Sequence, residues 1–181
     1  MQPYFMPYIG YFQLMHAVDV FIVYDNIEYS KQSWINRNRI LMHGKDVYLI
    51  LPLEKDSDFL NINQRYLSKS SESVQKKNVR RIESAYNKAP YFDQVMPLIE
   101  ECFLYDNKNL FDFIFHSIRK LHQYLQLDCQ LVVSSQVNSG KDQKGEDRII
   151  TICKSMDASH YINPIGGKEI GRASCRERVC H

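Results

Sequence analysis

Val20-Phe21-Ile22-Val23-Tyr24 is an unbroken apolar run of strand length that stops at Asp25, and it constrains the fold more than any other segment. A strand with one solvated face alternates apolar and polar residues. One without polar positions is covered on both faces, as in a parallel sheet packed between helices. Leu131-Val132-Val133 is a second run of this kind, followed by Ser134-Ser135. Elsewhere the period changes: Phe92, Val95, Met96, Ile99 and Phe103, then Leu110, Ile114, Ile118, Leu121 and Leu125, recur at helical spacings. A weaker amphipathic pattern covers Glu72 to Tyr86; Pro90 ends it, and Asp106 or Asn107 is placed to cap the last helix of the three. Ile149, Ile150, Cys153 and Met156 mark one more helix, and His160-Tyr161-Ile162 reads as a final strand. Strands alternating with helices predict a single α/β domain, a mainly parallel sheet flanked by helices.

Two segments depart from this alternation. Arg39 to Met42 and Val47 to Leu53 flank His43-Gly44-Lys45-Asp46, which predicts a β-hairpin insertion turning at Gly44. Residues 2–8 contain Pro3 and Pro7 and form an extended loop, with a short helix expected over Tyr11 to Ala17. Together with Val20 to Tyr24 this reads as strand, loop, helix, strand, with the first strand at or before residue 1, so Met1 is expected to be internal to a longer natural chain.

Residues 170–181 have no hydrophobic period and are enriched in Arg and Cys. They read as an adaptor-like, non-native tail on a domain of residues 1–169 that is truncated at its C-terminal end. This tail carries three arginines and one glutamate, so the formal charge of +2 belongs to it and the domain is neutral. A neutral domain gives no electrostatic case for nucleic acid or anionic membrane as partner. No stretch reaches the roughly 18 apolar residues of a membrane span. No secretory leader is visible, and Cys102, Cys129 and Cys153 form no CxxC pair, so reduced thiols and a cytoplasmic location are expected. Without a His/Cys/Asp cluster at ligand spacing, no structural zinc is expected.

In parallel α/β sheets, ligands collect beyond the carboxyl ends of strands. Four segments are expected to meet there: Gln2 to Gly10, Asp25 to Arg39, Ser134-Ser135, and Asn163 to Gly167. In the first, Gln2, Tyr4, Tyr8, Gly10 and Tyr11 surround a helix start whose free N–H groups suit a phosphate; the plain alternative is a Pro-Tyr loop packed on the sheet. Asp25 either serves as a base or amine anchor or caps its own loop. Lys31, Trp34, Arg37, Asn38 and Arg39 form the densest cluster, with guanidinium forks for a pyrophosphate or carboxylate and the one Trp for a sugar or base. Trp34 anchoring its loop, with the arginines paired to Asp25 and Glu28, is the competing reading. Asp25, Trp34 and Arg37 are expected to border one hollow. His16 is a second candidate base, or simply a packed side chain. Asn163, Gly166 and Gly167 either expose amides to an anion or make a tight turn. Tyr86 to Tyr91 read as a turn, and Cys153 as a packed thiol.

The run Gln2-Pro3-Tyr4-Phe5 with Pro7-Tyr8-Ile9-Gly10-Tyr11-Phe12, Tyr24-Asp25 with Tyr29, the Trp34 to Arg39 block, Ala85-Tyr86, Ala89-Pro90-Tyr91-Phe92, and Tyr161 to Glu169 resemble the WbqC-like family. The resemblance covers nearly all of residues 1–169 and departs near Ile170. It implies work in bacterial surface polysaccharide (O-antigen or capsule) biosynthesis: a transferase acylating or aminoacylating a nucleotide-linked amino sugar, without a cofactor and with an unidentified acyl donor. In that scheme Arg37 and Arg39 hold the diphosphate, Tyr29 joins the binding wall, and Asp25 or His16 takes the amine's proton. The alternatives are a non-catalytic nucleotide-sugar binding protein of a biosynthetic complex, and a nucleotidyltransferase-like enzyme, against which the absence of a phosphate-gripping histidine pair counts.

Overall fold

A computed structural model describes residues 1–137, 143 and 145–164. Its elements run α1 (Ile9–His16), β1 (Val20–Val23), β2 (Arg37–Met42), β3 (Lys45–Ile50), α2 (Ser71–Tyr86), α3 (Phe92–Phe103), α4 (Leu110–Tyr124), β4 (Gln130–Val133) and α5 (Gly145–Ser155). The two all-apolar runs find each other. β1 and β4 pair in parallel, with Val20 opposite Gln130 and Val23 opposite Val133. Met1 extends this ladder on the far side of β1: its nitrogen donates to Ile22 O (2.6 Å), and its carbonyl accepts from Tyr24 N (2.8 Å). That alternation is the parallel pattern, so Gln2, Asp25 and Ser134 all leave the sheet at one edge.

The hairpin forms the second, antiparallel sheet, in register from Arg37·Ile50 to Met42·Lys45. Its two-residue turn needs left-handed backbone at both positions, supplied by His43 (φ 51°) and Gly44 (φ 76°). The mixed α/β class and the hairpin are as the sequence predicts, though the parallel ladder is short. His160, Tyr161 and Ile162 belong to no strand; among the described residues the parallel sheet consists of β1 and β4.

Helices α2, α3 and α4 pack side by side, and the N-terminal loop plugs into them. Phe5 is fully buried, its ring 5.0 Å from that of Phe103 and 6.4 Å from that of Phe113. Asn109, rather than Asp106 or Asn107, caps α4 by accepting from Asp112 N at 3.1 Å. After β1, residues 25–29 lie against residues 60–63. Asn63 N donates to Asp25 O (3.0 Å), Ile62 N to Ile27 O (3.0 Å) and Tyr29 N to Leu60 O (3.1 Å). Among the described residues, no helix is long and apolar enough to cross a membrane.

Candidate functional site

At the sheet edge, Asp25 is 3% exposed and its carboxylate is fully engaged. Oδ1 accepts from Ser134 Oγ and from Ser135 N, both at 2.9 Å, and Oδ2 accepts from Asn63 Nδ2 at 2.9 Å. The Ser134 hydroxyl also lies 2.6 Å from Asn26 Oδ1, which accepts from Arg148 of α5. Arg148 in turn lies over the Tyr24 ring, 5.1 Å from its centroid. This knot ties both parallel strand ends to the ribbon at Asn63. It satisfies a buried charge, as burial requires, and leaves Asp25 no open face for a substrate proton.

The aromatic and cationic cluster sits on the hairpin instead. Trp34, 38% exposed, has Arg37 and Arg39 over its ring at 5.7 and 5.8 Å and stacks on Tyr48 with centroids 6.5 Å apart. Arg37 spends its fork on the carbonyls of Ser33 (Nε, 3.2 Å) and Gln32 (Nη2, 2.7 Å), while Arg39 pairs with Asp46 at 2.7 Å. Asn38 donates to the carbonyls of Phe5 (3.0 Å) and Met6, holding Met6 in left-handed backbone (φ 49°). The N-terminal loop is thus fastened to the hairpin by Asn38 and by Phe5 N donating to Trp34 O (3.1 Å).

A cavity of about 370 Å³ opens behind this fastening, walled by Met6, Asn38, Arg39, Ile40 and Leu49, by Ile82 and Tyr86 of α2, by Ala89-Pro90-Tyr91, and by Phe92, Val95, Met96, Ile99 and Phe103 of α3. Apart from Asn38, Arg39 and the two tyrosines its lining is apolar, and among the described residues no carboxylate, histidine or thiol contributes. Cavities of this size and character accommodate small-molecule groups. A second, polar cavity of about 270 Å³ is lined by Tyr29, Lys31, Asn36, Leu53, Glu54, Lys55, Asp56, Asp58 and Arg65.

Asp25, Trp34 and Arg37 line neither cavity, which corrects the expectation of one hollow bordered by all three. The reason is competition from the backbone: the loop carbonyls and the two strand ends need those side chains as partners. Asn38 and Arg39 reach the apolar cavity; Tyr29 and Lys31 reach the polar one. Tyr29 donates to Asn36 Oδ1 (2.8 Å), and burial pushes its hydroxyl pKa up, with Arg65 and Arg37 pulling the other way. Lys31 pairs with Asp58 at 2.7 Å, and that hydrogen bond holds the exposed carboxyl below its usual range.

Tyr11 is buried, donating to Gln2 O at 3.1 Å, and Tyr4 lies 5.9 Å from it, ring to ring. Burial raises both hydroxyl pKa values, with neighbouring tyrosines adding to the shift. Tyr8 is 66% exposed and folds over Gly10, where an added Cβ would stand 2.3 Å from the ring. His16 is exposed in the last turn of α1. Asn163 is partly buried beyond α5, and Gly166 and Gly167 lie outside the described residues. Burial pushes the Cys102 thiol up to about 12, which removes it as a nucleophile.

The WbqC-like protein family matches the chain over residues 2–174. The chain belongs to the WbqC-like protein family. The match continues past Glu169, where the resemblance in the sequence gives out. A relative from Mycobacterium tuberculosis, "Uncharacterized protein Rv1507c", is 26% identical over 165 residues, spanning 90% of this chain and 69% of the relative. No solved structure matches.

Sequence reasoning missed two parts of this WbqC-like site. Tyr86 to Tyr91 read as a turn, yet they form the rim of the apolar cavity. The available signal was two tyrosines on either side of Pro90, more aromatic surface than a turn requires; in the structure Tyr86 and Tyr91 are 41% and 67% exposed. Arg65 was overlooked because nothing in its sequence neighbourhood distinguishes a buried arginine from an exposed one.

Proposed function

We propose that this WbqC-like protein is a cytoplasmic transferase of bacterial surface polysaccharide assembly, acylating or aminoacylating a nucleotide-linked amino sugar. One observation carries the reading. Three segments on which the family resemblance rests, at Asn38-Arg39, Tyr86 and Ala89 to Phe92, wall the same apolar cavity, with Met6 of the N-terminal loop beside them. A shared structural role would scatter such segments through the core; their meeting at an accessible hollow is what a ligand site requires.

In this reading the apolar wall takes the acyl group. Arg39, held by Asp46, faces the phosphates with its guanidinium fork. The sugar amine attacks the acyl carbonyl; the new C–N bond forms as the donor's leaving group departs, and the amine's proton passes to water at the open mouth. Bringing amine and carbonyl together supplies most of the acceleration such a site offers. Asp25 is then a positioning residue: through Ser134 and Asn63 it fixes the sheet edge from which the N-terminal loop runs to Met6.

The lack of any carboxylate, histidine or thiol on the cavity wall favours a second reading, a nucleotide-sugar binding protein without chemistry of its own. Thermal shifts of the chain with nucleotides, nucleotide-linked amino sugars and acyl donors, coupled to product analysis, separate the two. Stabilisation with product formation supports the transferase; stabilisation without product under every donor supports the binder. Ala89→Trp fills the mouth from an exposed position and is expected to change stability by no more than about 0.5 kcal/mol while abolishing the ligand-induced shift. An undiminished shift would remove the cavity from both readings.

A further inference from the structure

Arg65 is a buried cation that makes no direct ion pair among the described residues, although its charge is felt by the exposed Asp58, itself bound to Lys31. It is 4% exposed, and among the described residues no carboxylate pairs with it. Among the described residues its guanidinium has one hydrogen bond, Nη1 to Ser57 O at 2.9 Å, and lies over the Tyr29 ring at 4.8 Å, while its buried Nε has no partner there. The backbone clamps it in place, Arg65 N donating to Ile62 O (3.2 Å) and Arg65 O accepting from Leu110 N (2.9 Å). Burying a guanidinium on so few partners is costly, and an apolar residue of similar volume would pack there at least as well. The same side chain lines the polar cavity of about 270 Å³.

We propose that this cavity is a binding site for a small α-hydroxy or α-amino carboxylate, with Arg65 receiving the carboxylate. A guanidinium fork matches the two coplanar oxygens of a carboxylate. The rim decides against a more highly charged anion. Lys31 and Lys55 are offset by Glu54, Asp56 and Asp58, and Lys31 is already bound to Asp58. With three carboxylates against two lysines, the rim disfavours a phosphate dianion more than a singly charged carboxylate, and it offers Glu54 and Asp56 as acceptors for a hydroxyl or ammonium beside that carboxylate. The cavity's volume suits a molecule of few heavy atoms. The site is separate from the apolar cavity and does not depend on acyl transfer there.

Isothermal titration of the full chain with glycine, L-alanine, glycolate and L-lactate, alongside glycinamide and inorganic phosphate, tests the assignment. One of the first four is expected to bind at least tenfold more tightly than glycinamide and phosphate, and the amino and hydroxy arms identify which donor the rim prefers. The Arg65 Nε–H resonance is expected to shift with that ligand alone. Arg65→Lys, which keeps the charge but loses the fork, is expected to weaken binding at least tenfold. Arg65→Met is expected to abolish it without lowering the melting temperature, because the unpaired charge is gone. Binding by none of the four, phosphate binding as tightly as they do, or unchanged affinity in Arg65→Lys would each overturn the proposal. So would an unshifted Arg65 resonance or a destabilised Arg65→Met chain.

Discussion

The sheet edge at Asp25 and the cavity behind the hairpin are both built from segments remote in sequence, yet they are opposites. At the edge every polar group is spent: a 3%-exposed carboxylate holds a serine hydroxyl, a backbone amide and a carboxamide. Behind the hairpin an apolar wall stands open, with Tyr86 and Tyr91 exposed at its rim. A saturated polar knot specifies structure, whereas an unfilled apolar hollow leaves binding free energy unrealised until something enters it.

The sharpest way to break this contrast is Asp25→Ala. Ser134, Ser135 N and Asn63 would lose a buried acceptor, a loss of about 3 kcal/mol, read as a lower urea midpoint. Asp25→Asn should cost less, because the amide oxygen still accepts from Ser135 and a flipped Asn63 can accept from its nitrogen. An Asp25→Ala chain as stable as the parent would mean the carboxylate is free for other work.

Asn38→Ala is next. It removes the donor to the carbonyls of Phe5 and Met6 and releases Met6 from its left-handed backbone, an expected loss of about 1–2 kcal/mol. It should also reshape the cavity wall, so weaker ligand-induced stabilisation should accompany the lower midpoint. Loss of stability with unchanged ligand response would confine Asn38 to a structural role.

The smallest effect belongs to His116, stacked on Tyr105 at 3.8 Å and remote from both regions. Burial, helped by Lys120 and Arg119, holds its pKa below the ordinary histidine value. The unfolded chain therefore takes up the proton first as pH falls. Stability is intact above the ordinary value of about 6.5 and declines as pH drops through the lowered folded value. His116→Phe keeps the stack and isolates the ring's share: its midpoint should fall less steeply between pH 7 and 5, and an identical slope would assign the effect elsewhere.

Much of the fold was legible because it rests on period. The apolar runs at Val20 and Leu131 pair in parallel, the helical spacings at Phe92 and Leu110 form α3 and α4, and Gly44 turns the hairpin. His160 to Ile162 failed as a strand because three residues are too short a run for period to decide pairing. The candidate site was less legible. Residue type marked Asp25, Trp34 and Arg37 as chemistry, but type does not reveal whether a carboxylate already has three donors or a guanidinium already caps two carbonyls. Phe92, Val95, Met96 and Ile99 read as one apolar helix face, and only tertiary placement distinguishes a core residue from the wall of a hollow.

Methyl NMR during addition of a nucleotide-linked amino sugar and an acyl donor tests the central claim most directly, because both regions carry methyl probes. The cavity account expects shifts at Met6, Ile40, Ile82, Met96 and Ile99, with Ile22, Val23 and Val133 of the β1–β4 ladder unmoved. Shifts concentrated at those ladder methyls, with the cavity methyls silent, would contradict it.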